Sequence, residues 1–196
     1  MSDIFLFLGH PAPSSFCHGL ADAYERGAKA AGASVRRMNV HDMDFDPDLT
    51  FGYTQRKDLE PDLQAWREAI SACKHMALIY PQWWGGMPAK MKGVFDRAYL
   101  PGFAMKYRET GLLWDPLLKG RSAETILTAD TPSWYSNLVY GQPAGRQVSK
   151  IVLEYAGFKP VRFTQIAPIK TASDAQKARW LSKAETMGQK AGARHY

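Results

Sequence analysis

The chain has 196 residues, of which 45% are hydrophobic and 22% charged, so we expect a single globular domain over residues 1–196 with a substantial core. The formal net charge is +6, but Lys and Arg are scattered rather than clustered, which argues against a nucleic-acid partner. Two cysteines are too few for a disulfide framework, and no apolar run approaches the roughly 20 residues of a membrane span. We therefore expect a cytoplasmic protein.

Five short apolar stretches alternate along the chain with longer segments of helical periodicity. This order predicts parallel strands joined by crossover helices, which is an α/β fold with helices on both faces of the sheet. The first stretch is apolar at every position, as in a strand covered on both faces, and we expect it to be central. The predicted strands are residues 4–8, 34–39, 75–80, 124–129 and 161–166.

Helices are predicted between these strands. Apolar residues recur at helical spacing from Phe16 to Ala28, and Gly32 ends that pattern. A helix should open at Pro88, because proline is tolerated in the first turn, and run to Ala98. Long connections such as residues 41–57 and 102–119 are usually functional in a single domain. The remaining predicted helices are residues 63–73, 144–156 and 175–188.

Three loops follow the carboxyl ends of predicted strands, where ligands bind in open parallel sheets. The first, residues 9–16, opens the first helix, whose unpaired N–H groups and positive dipole end suit a phosphate. Ser14, Ser15 and His10 add side-chain donors, which favours phosphate binding. Under the alternative interpretation, Ser14 or Ser15 only caps the helix.

The second loop, residues 81–88, contains adjacent tryptophans, Trp83 and Trp84, before Gly85 and Gly86. Adjacent side chains point in different directions, so at least one of the two should face a ligand, although one could instead fill the core. The glycines let backbone approach a planar ring closely.

The third loop, residues 128–135, follows the fourth strand and is rich in small and hydroxylic residues. They are suited to line the other edge of such a ring, while Tyr135 could donate a hydrogen bond to an anion developing on it. The alternative is an Asx-type turn in which Asp130 caps Thr131 and Pro132.

The residues of these loops carry a family resemblance. Residues 80–97 read YPQWWGGMPAKMKGVFDR and are followed by GFA at 102–104. With residues 9–16, 130–135 and 156–160, this sequence resembles the NAD(P)H:quinone oxidoreductase family of flavodoxin-like flavoproteins, including its short bacterial members and the potassium-efflux regulatory subunits. The resemblance covers nearly the whole chain.

The resemblance implies a flavodoxin-like three-layer sandwich with a five-stranded parallel sheet and a bound FMN or FAD, of which the short chain favours FMN. The family's mammalian members have glycines where this chain has Asp130 and Thr131. The residues that match the family's flavin-binding loops are His10, Ser14, Ser15, Phe16, Pro81, Gln82, Trp83, Trp84, Gly85, Thr128, Ala129, Asp130 and Thr131.

The resemblance also implies that Tyr135 is the catalytic residue, because it matches a tyrosine that lies beside the flavin in the family. The family's following active-site histidine has no counterpart here, which leaves proton delivery to Tyr135, Tyr140 or water. The implied reaction passes hydride from NAD(P)H to the flavin and then to a quinone-like acceptor by a ping-pong scheme, without a metal or a side-chain nucleophile.

The family is typically homodimeric, and residues 102–114, which contain Phe103, Tyr107 and Trp114, are a candidate part of that interface. The same segment could instead be a flap over its own active site. Three other functions stay open on the sequence: a flavin-carrying regulatory subunit of a potassium-efflux transporter, an azo- or nitro-reductase, and a flavin-free interaction domain.

Overall fold

Five parallel strands form the central sheet of the structure, a computed structural model that describes residues 3–110 and 112–194. The strand order is β2-β1-β3-β6-β7. The connection from β1 leads to β2 on one side of it, and the connection from β2 leads to β3 on the other side, so the strand order reverses direction at β1. The strands of this sheet are β1 (Ile4–Leu8), β2 (Val35–Asn39), β3 (His75–Pro81), β6 (Ser122–Thr128) and β7 (Val161–Ile166).

Helices cover both faces of the sheet, which confirms the predicted flavodoxin-like three-layer fold. They are α1 (Phe16–Ala30), α2 (Pro61–Ala72), α3 (Ala89–Ala98), α4 (Ser133–Leu138), α5 (Pro143–Arg146), which continues as a π-helix over Gln147–Glu154, and α6 (Asp174–Gly192). None of the described helices is long and apolar enough to cross a membrane.

Alternation along β1 divides its side chains between two apolar layers. Phe5 and Phe7 belong to one cluster with α2, α3 and the π-helix, while Ile4, Leu6 and Leu8 belong to the other with α1 and α6. All five side chains are completely buried, as expected for a strand with helices on both sides. The middle strand of the sheet is nevertheless β3, and β1 lies next to it.

Helices α1 and α6 pack closely at glycine positions. A Cβ atom on Gly27 would lie 2.0 Å from the carbonyl oxygen of Glu185, and one on Gly188 would lie 2.0 Å from that of Tyr24. Side chains at these positions would force the helices apart, so the two glycines allow α1 and α6 to pack closely on this face of the sheet.

Three elements differ from the sequence prediction. The predicted helix over 144–156 is mostly the π-helix, and residues 133–138, of which 133–135 were predicted as part of a loop, form α4. The connection 102–119 contains an antiparallel pair, β4 (Met105–Tyr107) and β5 (Trp114–Pro116). Trp114 in β5 stacks on Tyr155 with ring centroids 4.0 Å apart and donates its indole N–H to the Tyr155 carbonyl at 2.8 Å. These long-range contacts have no local sequence signal.

Candidate functional site

A cleft lies at the carboxyl ends of β1, β3 and β6. It consists of two cavities of about 300 Å³ and 680 Å³ that share the side chains of Gln82, Ala129 and Asp130. The three loops singled out in the sequence form most of its walls. This is the edge of the sheet at which an α/β protein binds ligands.

The smaller cavity is lined by the start of α1. Ser15 occupies the N-cap position, but its hydroxyl is hydrogen-bonded to Nδ1 of His18 at 2.9 Å and makes no capping bond. The interpretation of this serine as a side-chain cap is therefore wrong. The backbone N–H of His18 donates to the Ser15 carbonyl at 3.0 Å, so the first-turn amides that have no partner among the described residues are those of Phe16 and Cys17, with the positive end of the helix dipole behind them.

His10 supplies a further donor to the smaller cavity. Its Nδ1 accepts a hydrogen bond from the backbone N–H of Ala12 at 3.1 Å, so in the neutral ring the proton lies on Nε2. Burial, followed by the nearby His18, lowers the pKa of His10. The His10 ring is therefore a neutral N–H donor at pH 7, and an arriving phosphate would favour its protonation.

The wall of the smaller cavity contains a buried thiol. The sulfur of Cys17 lies 3.1 Å from the hydroxyl oxygen of Thr128. Burial raises the pKa of Cys17 to about 11, so the group stays a neutral thiol at pH 7. Cys17 is part of the wall and is not a nucleophile.

The larger cavity is bordered by a tight turn after β3. Trp83 and Gly86 exchange backbone hydrogen bonds of 3.0 Å, and the two residues between them, Trp84 and Gly85, have φ of +50° and +77°. A two-residue hairpin turn with positive φ at both central positions suits glycine but costs a tryptophan roughly 1–2 kcal/mol. The Trp84 side chain is fully exposed and Trp83 is 46% exposed, so the alternative of a core-filling tryptophan is wrong.

Gln82 lies between the two cavities. Its backbone N–H donates to the carbonyl of Thr128 at 2.8 Å, which fixes the residue across β3 and β6. Its side-chain Oε1 is buried and has no hydrogen-bond partner among residues 3–110 and 112–194. Of the buried side-chain atoms without a partner in the described chain, this is the one whose residue lines the cleft, where a polar group of a ligand could satisfy it.

The loop after β6 borders both cavities. Asp130 accepts a hydrogen bond from the backbone N–H of Lys170 at 2.7 Å, and its carboxylate makes no hydrogen bond to the residues that follow it in the described chain, so the alternative of an Asx-type turn over Thr131 and Pro132 is not formed. Tyr140 lines the larger cavity. The ring of Tyr135 contacts the ring of Tyr140 edge-on, with centroids 5.2 Å apart. A hydrogen bond with Tyr135 raises the pKa of Tyr140 further above the ordinary value of a phenol, which is itself protonated at neutral pH.

The cleft brings together most of the predicted site residues and adds others. Ser14 is exposed, and neither Ser14 nor Tyr135 lines either cavity of the cleft. The sequence prediction missed Ile169 and Lys170, whose only signal was their position after the last strand, and it also missed Cys17, Val139 and Pro143. The predicted residues that line the smaller cavity are His10, Ser15, Phe16, Pro81, Gln82, Trp83, Thr128, Ala129 and Asp130, and those added by the larger one are Trp84, Gly85 and Thr131.

Comparison with known proteins defines the class. Residues 2–189 match the family model described as flavodoxin-like fold, and the chain belongs to this family. An NAD(P)H oxidoreductase of Haemophilus influenzae without further characterisation is 25% identical over 183 residues, covering 91% of this chain and 90% of that protein. The rat NAD(P)H dehydrogenase [quinone] 1 is 26% identical over 67% of this chain, which spans 55% of the rat protein. The family predicted from the sequence is confirmed.

Solved structures agree in fold. A Streptococcus mutans protein is 29% identical with a TM-score of 0.82, covering 96% of this chain and 99% of its own. The NAD(P)H:quinone oxidoreductase of Methanothermobacter marburgensis is 23% identical with a TM-score of 0.79, covering 96% and 98%. An FMN-dependent NADH-azoreductase from Bacillus anthracis, solved with FMN, is 18% identical with a TM-score of 0.70, covering 97% and 99%.

Proposed function

We propose that this protein is an FMN-dependent oxidoreductase that takes hydride from NAD(P)H and reduces quinone-like acceptors. The oxidoreductase class agrees with the names of its relatives. The observation that carries the flavin assignment is the buried, unpartnered Oε1 of Gln82 at the junction of an anion-binding cavity and a wider one. A phosphorylated planar ring needs this combination of sites.

The residues present fit FMN. Its phosphate would be held at the first turn of α1 with Ser15 and His10, and the charge of Lys170 would favour the anion. Its ring would lie in the larger cavity, along the turn of Trp84 and Gly85. The smaller cavity would hold one phosphate group. FMN carries one phosphate and FAD carries two, which favours FMN.

The bound flavin would accept hydride from NAD(P)H and give it to the acceptor, and the protein would orient the reactants and exclude water. Gln82 would satisfy its buried amide on the polar edge of the ring. Tyr140 lines the cavity with a protonated phenol and would donate a hydrogen bond to negative charge there. Tyr135, the predicted catalytic residue, contacts Tyr140 and would act as a positioning residue.

NAD(P)H and the acceptor would use the same open cleft in turn, which favours ping-pong kinetics. The acceptor is a small planar molecule because it must reach the ring past Trp84. Quinones and azo compounds both meet that requirement, and solved azoreductases share the fold. We favour quinones because two curated relatives are named for them.

Exposed apolar side chains surround the mouth of the larger cavity. Trp84 is fully exposed, and Val139 and Tyr140, which also line this cavity, are each 55% exposed. Patches of this kind usually mark an interface. We propose that a second copy of the chain covers this patch in a cytoplasmic homodimer, and light scattering of the purified protein would report the predicted dimer or contradict it with a monomer.

The experiment that tests the proposed function is mass spectrometry of the chromophore released from purified protein, followed by steady-state turnover. We expect the mass of FMN and NAD(P)H-dependent turnover that is faster with quinones than with azo acceptors. A colourless protein that binds neither added flavin would refute the flavin assignment. Faster azo than quinone turnover would refute the acceptor class alone.

A further inference from the structure

The serine at the start of α1 has a different hydrogen bond from the serine at the start of α6. In α6, the N-cap Ser173 and the residue three positions later, Gln176, form a reciprocal capping box, in which the Ser173 hydroxyl accepts the backbone N–H of Gln176 at 3.2 Å. The same two positions of α1 hold Ser15 and His18. The Ser15 hydroxyl is bonded to the imidazole of His18 and makes no capping bond, although its position favours one.

Ser15 belongs to the wall of the flavin cleft. It lines the smaller cavity of the cleft, whereas His18 does not. His18 is partly buried, and its Nδ1 lies 2.9 Å from the Ser15 hydroxyl oxygen. This hydrogen bond therefore connects His18 to a cavity that it does not itself line.

The Ser15 hydroxyl has one proton, so it can be directed at only one acceptor at a time. When Nδ1 of His18 carries no proton, it accepts the hydroxyl proton, and the Ser15 oxygen presents only lone pairs to the cavity. When Nδ1 carries a proton, it donates to the Ser15 oxygen, and the hydroxyl is free to donate to an anion. Protonation of this one nitrogen therefore decides whether Ser15 attracts or repels a phosphate oxygen.

The thiol of Cys17 is a second neighbour of the Ser15 hydroxyl. Burial raises the pKa of Cys17, and hydrogen bonds with Thr128 and Ser15 lower it by less. Because sulfur is a weak acceptor, the thiol competes poorly with an imidazole nitrogen or a phosphate oxygen for the Ser15 proton. The competition for this proton is therefore between His18 and a ligand in the cavity.

The charges around His18 leave its ring neutral at pH 7 in the free protein. Burial, followed by the charge of Arg37, lowers the pKa of His18. Arg37 is itself paired with Asp22 at 2.5 Å and with Glu25 at 3.2 Å. A phosphate dianion beside Ser15 would raise the pKa of His18, because an opposite charge favours the imidazolium. The charged and titratable groups around the ring are Asp22 on α1, Arg37 on β2, His41 and Asp42 after β2, and His10 after β1.

We propose that His18 is a positioning residue for the flavin phosphate, which holds a proton on Nδ1 when FMN is bound and thereby directs the Ser15 hydroxyl at the phosphate. In neutral solution the Nδ1–H tautomer supplies this proton, and in mild acid the imidazolium supplies it with a stronger, charge-assisted bond. This role rests on the proposed FMN site.

Nitrogen NMR of the protein with isotope-labelled histidine reports the protonation of Nδ1 directly. We expect the Nδ1 of His18 to be protonated at pH 8 in the FMN complex, and His18→Asn identifies the His18 signals by their loss. Riboflavin has the same ring without a phosphate, so it should leave the tautomer of the ligand-free protein unchanged. An FMN complex in which His18 has its proton on Nε2 and none on Nδ1 would overturn the proposal.

A thermodynamic cycle measures the coupling between the two side chains. The quantity is the factor by which Ser15→Ala raises the FMN dissociation constant, measured by fluorescence titration at pH 5.5 and pH 8. In the parent background this factor should be about threefold larger at pH 5.5, because the imidazolium strengthens the bond. In the His18→Asn background it should be equal at both pH values, because the amide can donate from the Nδ1 position but does not titrate. Groups common to all variants, such as His10 and the phosphate itself, cancel.

His41→Asn is the matched control. His41 is near His18, but its Nδ1 donates to the Pro11 carbonyl at 2.8 Å and not to Ser15, so this variant should keep the pH dependence of the parent. A factor equal at both pH values in the parent, or one that still changes with pH in His18→Asn, would overturn the role of His18 while FMN binding persists. Failure of the parent to bind FMN at either pH would instead refute the proposed function, and this role with it.

Discussion

Mild acid should destabilise the fold through one buried histidine at the start of β3. His75 is completely buried, its Nε2 lies 3.2 Å from the hydroxyl of Tyr24, and its Nδ1 lies 2.8 Å from that of Ser122. Burial, followed by the charges of Arg194 and Arg162, lowers its pKa from 6.5 to about 3. The imidazole therefore stays neutral in the folded protein at pH values where the unfolded chain would be protonated.

The sign and the size follow from proton linkage. Between the unfolded pKa of 6.5 and the folded pKa of about 3, the unfolded state binds one more proton at His75 than the folded state. The contribution of His75 to the unfolding free energy is therefore fully present above pH 6.5 and is lost as pH falls below it. Each pH unit well inside that window costs about 1.4 kcal/mol. From pH 7 to pH 5 the expected loss from His75 alone is about 2 kcal/mol.

The measurement is urea denaturation at pH 5, 6, 7 and 8 for the parent protein and for His75→Gln. The glutamine variant should be less stable at pH 7, because it loses the contacts with Tyr24 and Ser122. The difference in unfolding free energy should then shrink by about 2 kcal/mol on going to pH 5. Subtraction cancels the pH dependence of groups common to both proteins. Parallel stability curves with equal denaturant slopes would refute the assignment to His75.

Three predictions concern flavin binding. Gln82→Met should raise the FMN dissociation constant about tenfold, the effect of one hydrogen bond, without loss of stability in flavin-free protein. As a control, Tyr99→Phe removes another buried unpartnered oxygen, outside the cleft lining at the end of α3, and should leave FMN binding unchanged. Ser15→Ala should cost about 1–3 kcal/mol of FMN affinity, whereas Ser14→Ala should cost none, and equal effects in a fluorescence titration would count against the phosphate assignment. Trp84→Ala should lower the flavin retained after dialysis, and an unchanged stoichiometry would remove this residue from the proposed site.

The fold was predictable because its local signals agree. The five parallel strands are found within two residues of their predicted ends, since fully apolar runs such as residues 4–8 have no other place in a sheet covered on both faces. Gly32, with φ of +88°, ends α1 as its position in the sequence indicates. The π-helix was not predictable, because eight residues contain too few apolar positions to distinguish its periodicity from that of an α-helix, and π-helices are rare.

The candidate site was predictable only where its residues follow strands directly. Gln82 and Thr128 lie at strand ends, and parallel strands bring such ends to one edge of a sheet. Lys170 enters the cleft because its backbone amide bonds to Asp130, a contact 40 residues apart that no periodicity encodes. Tyr135 matches a family tyrosine in sequence and lies within the short helix α4, yet the tyrosine that lines the cavity is Tyr140, two residues after that helix ends.

Two unfavourable features occur together at the carboxyl end of β3. Gln82 leaves a buried acceptor without a partner in the described chain, and two positions later Trp84 adopts a left-handed backbone while its side chain is fully exposed. A hairpin turn selected only for stability would have glycine or asparagine at that position and a solvated amide before it. Both costs are offset if a planar polar ligand satisfies the amide and covers the indole. Their coincidence, more than the cavity volume, therefore favours a ring-binding site at this edge of the sheet.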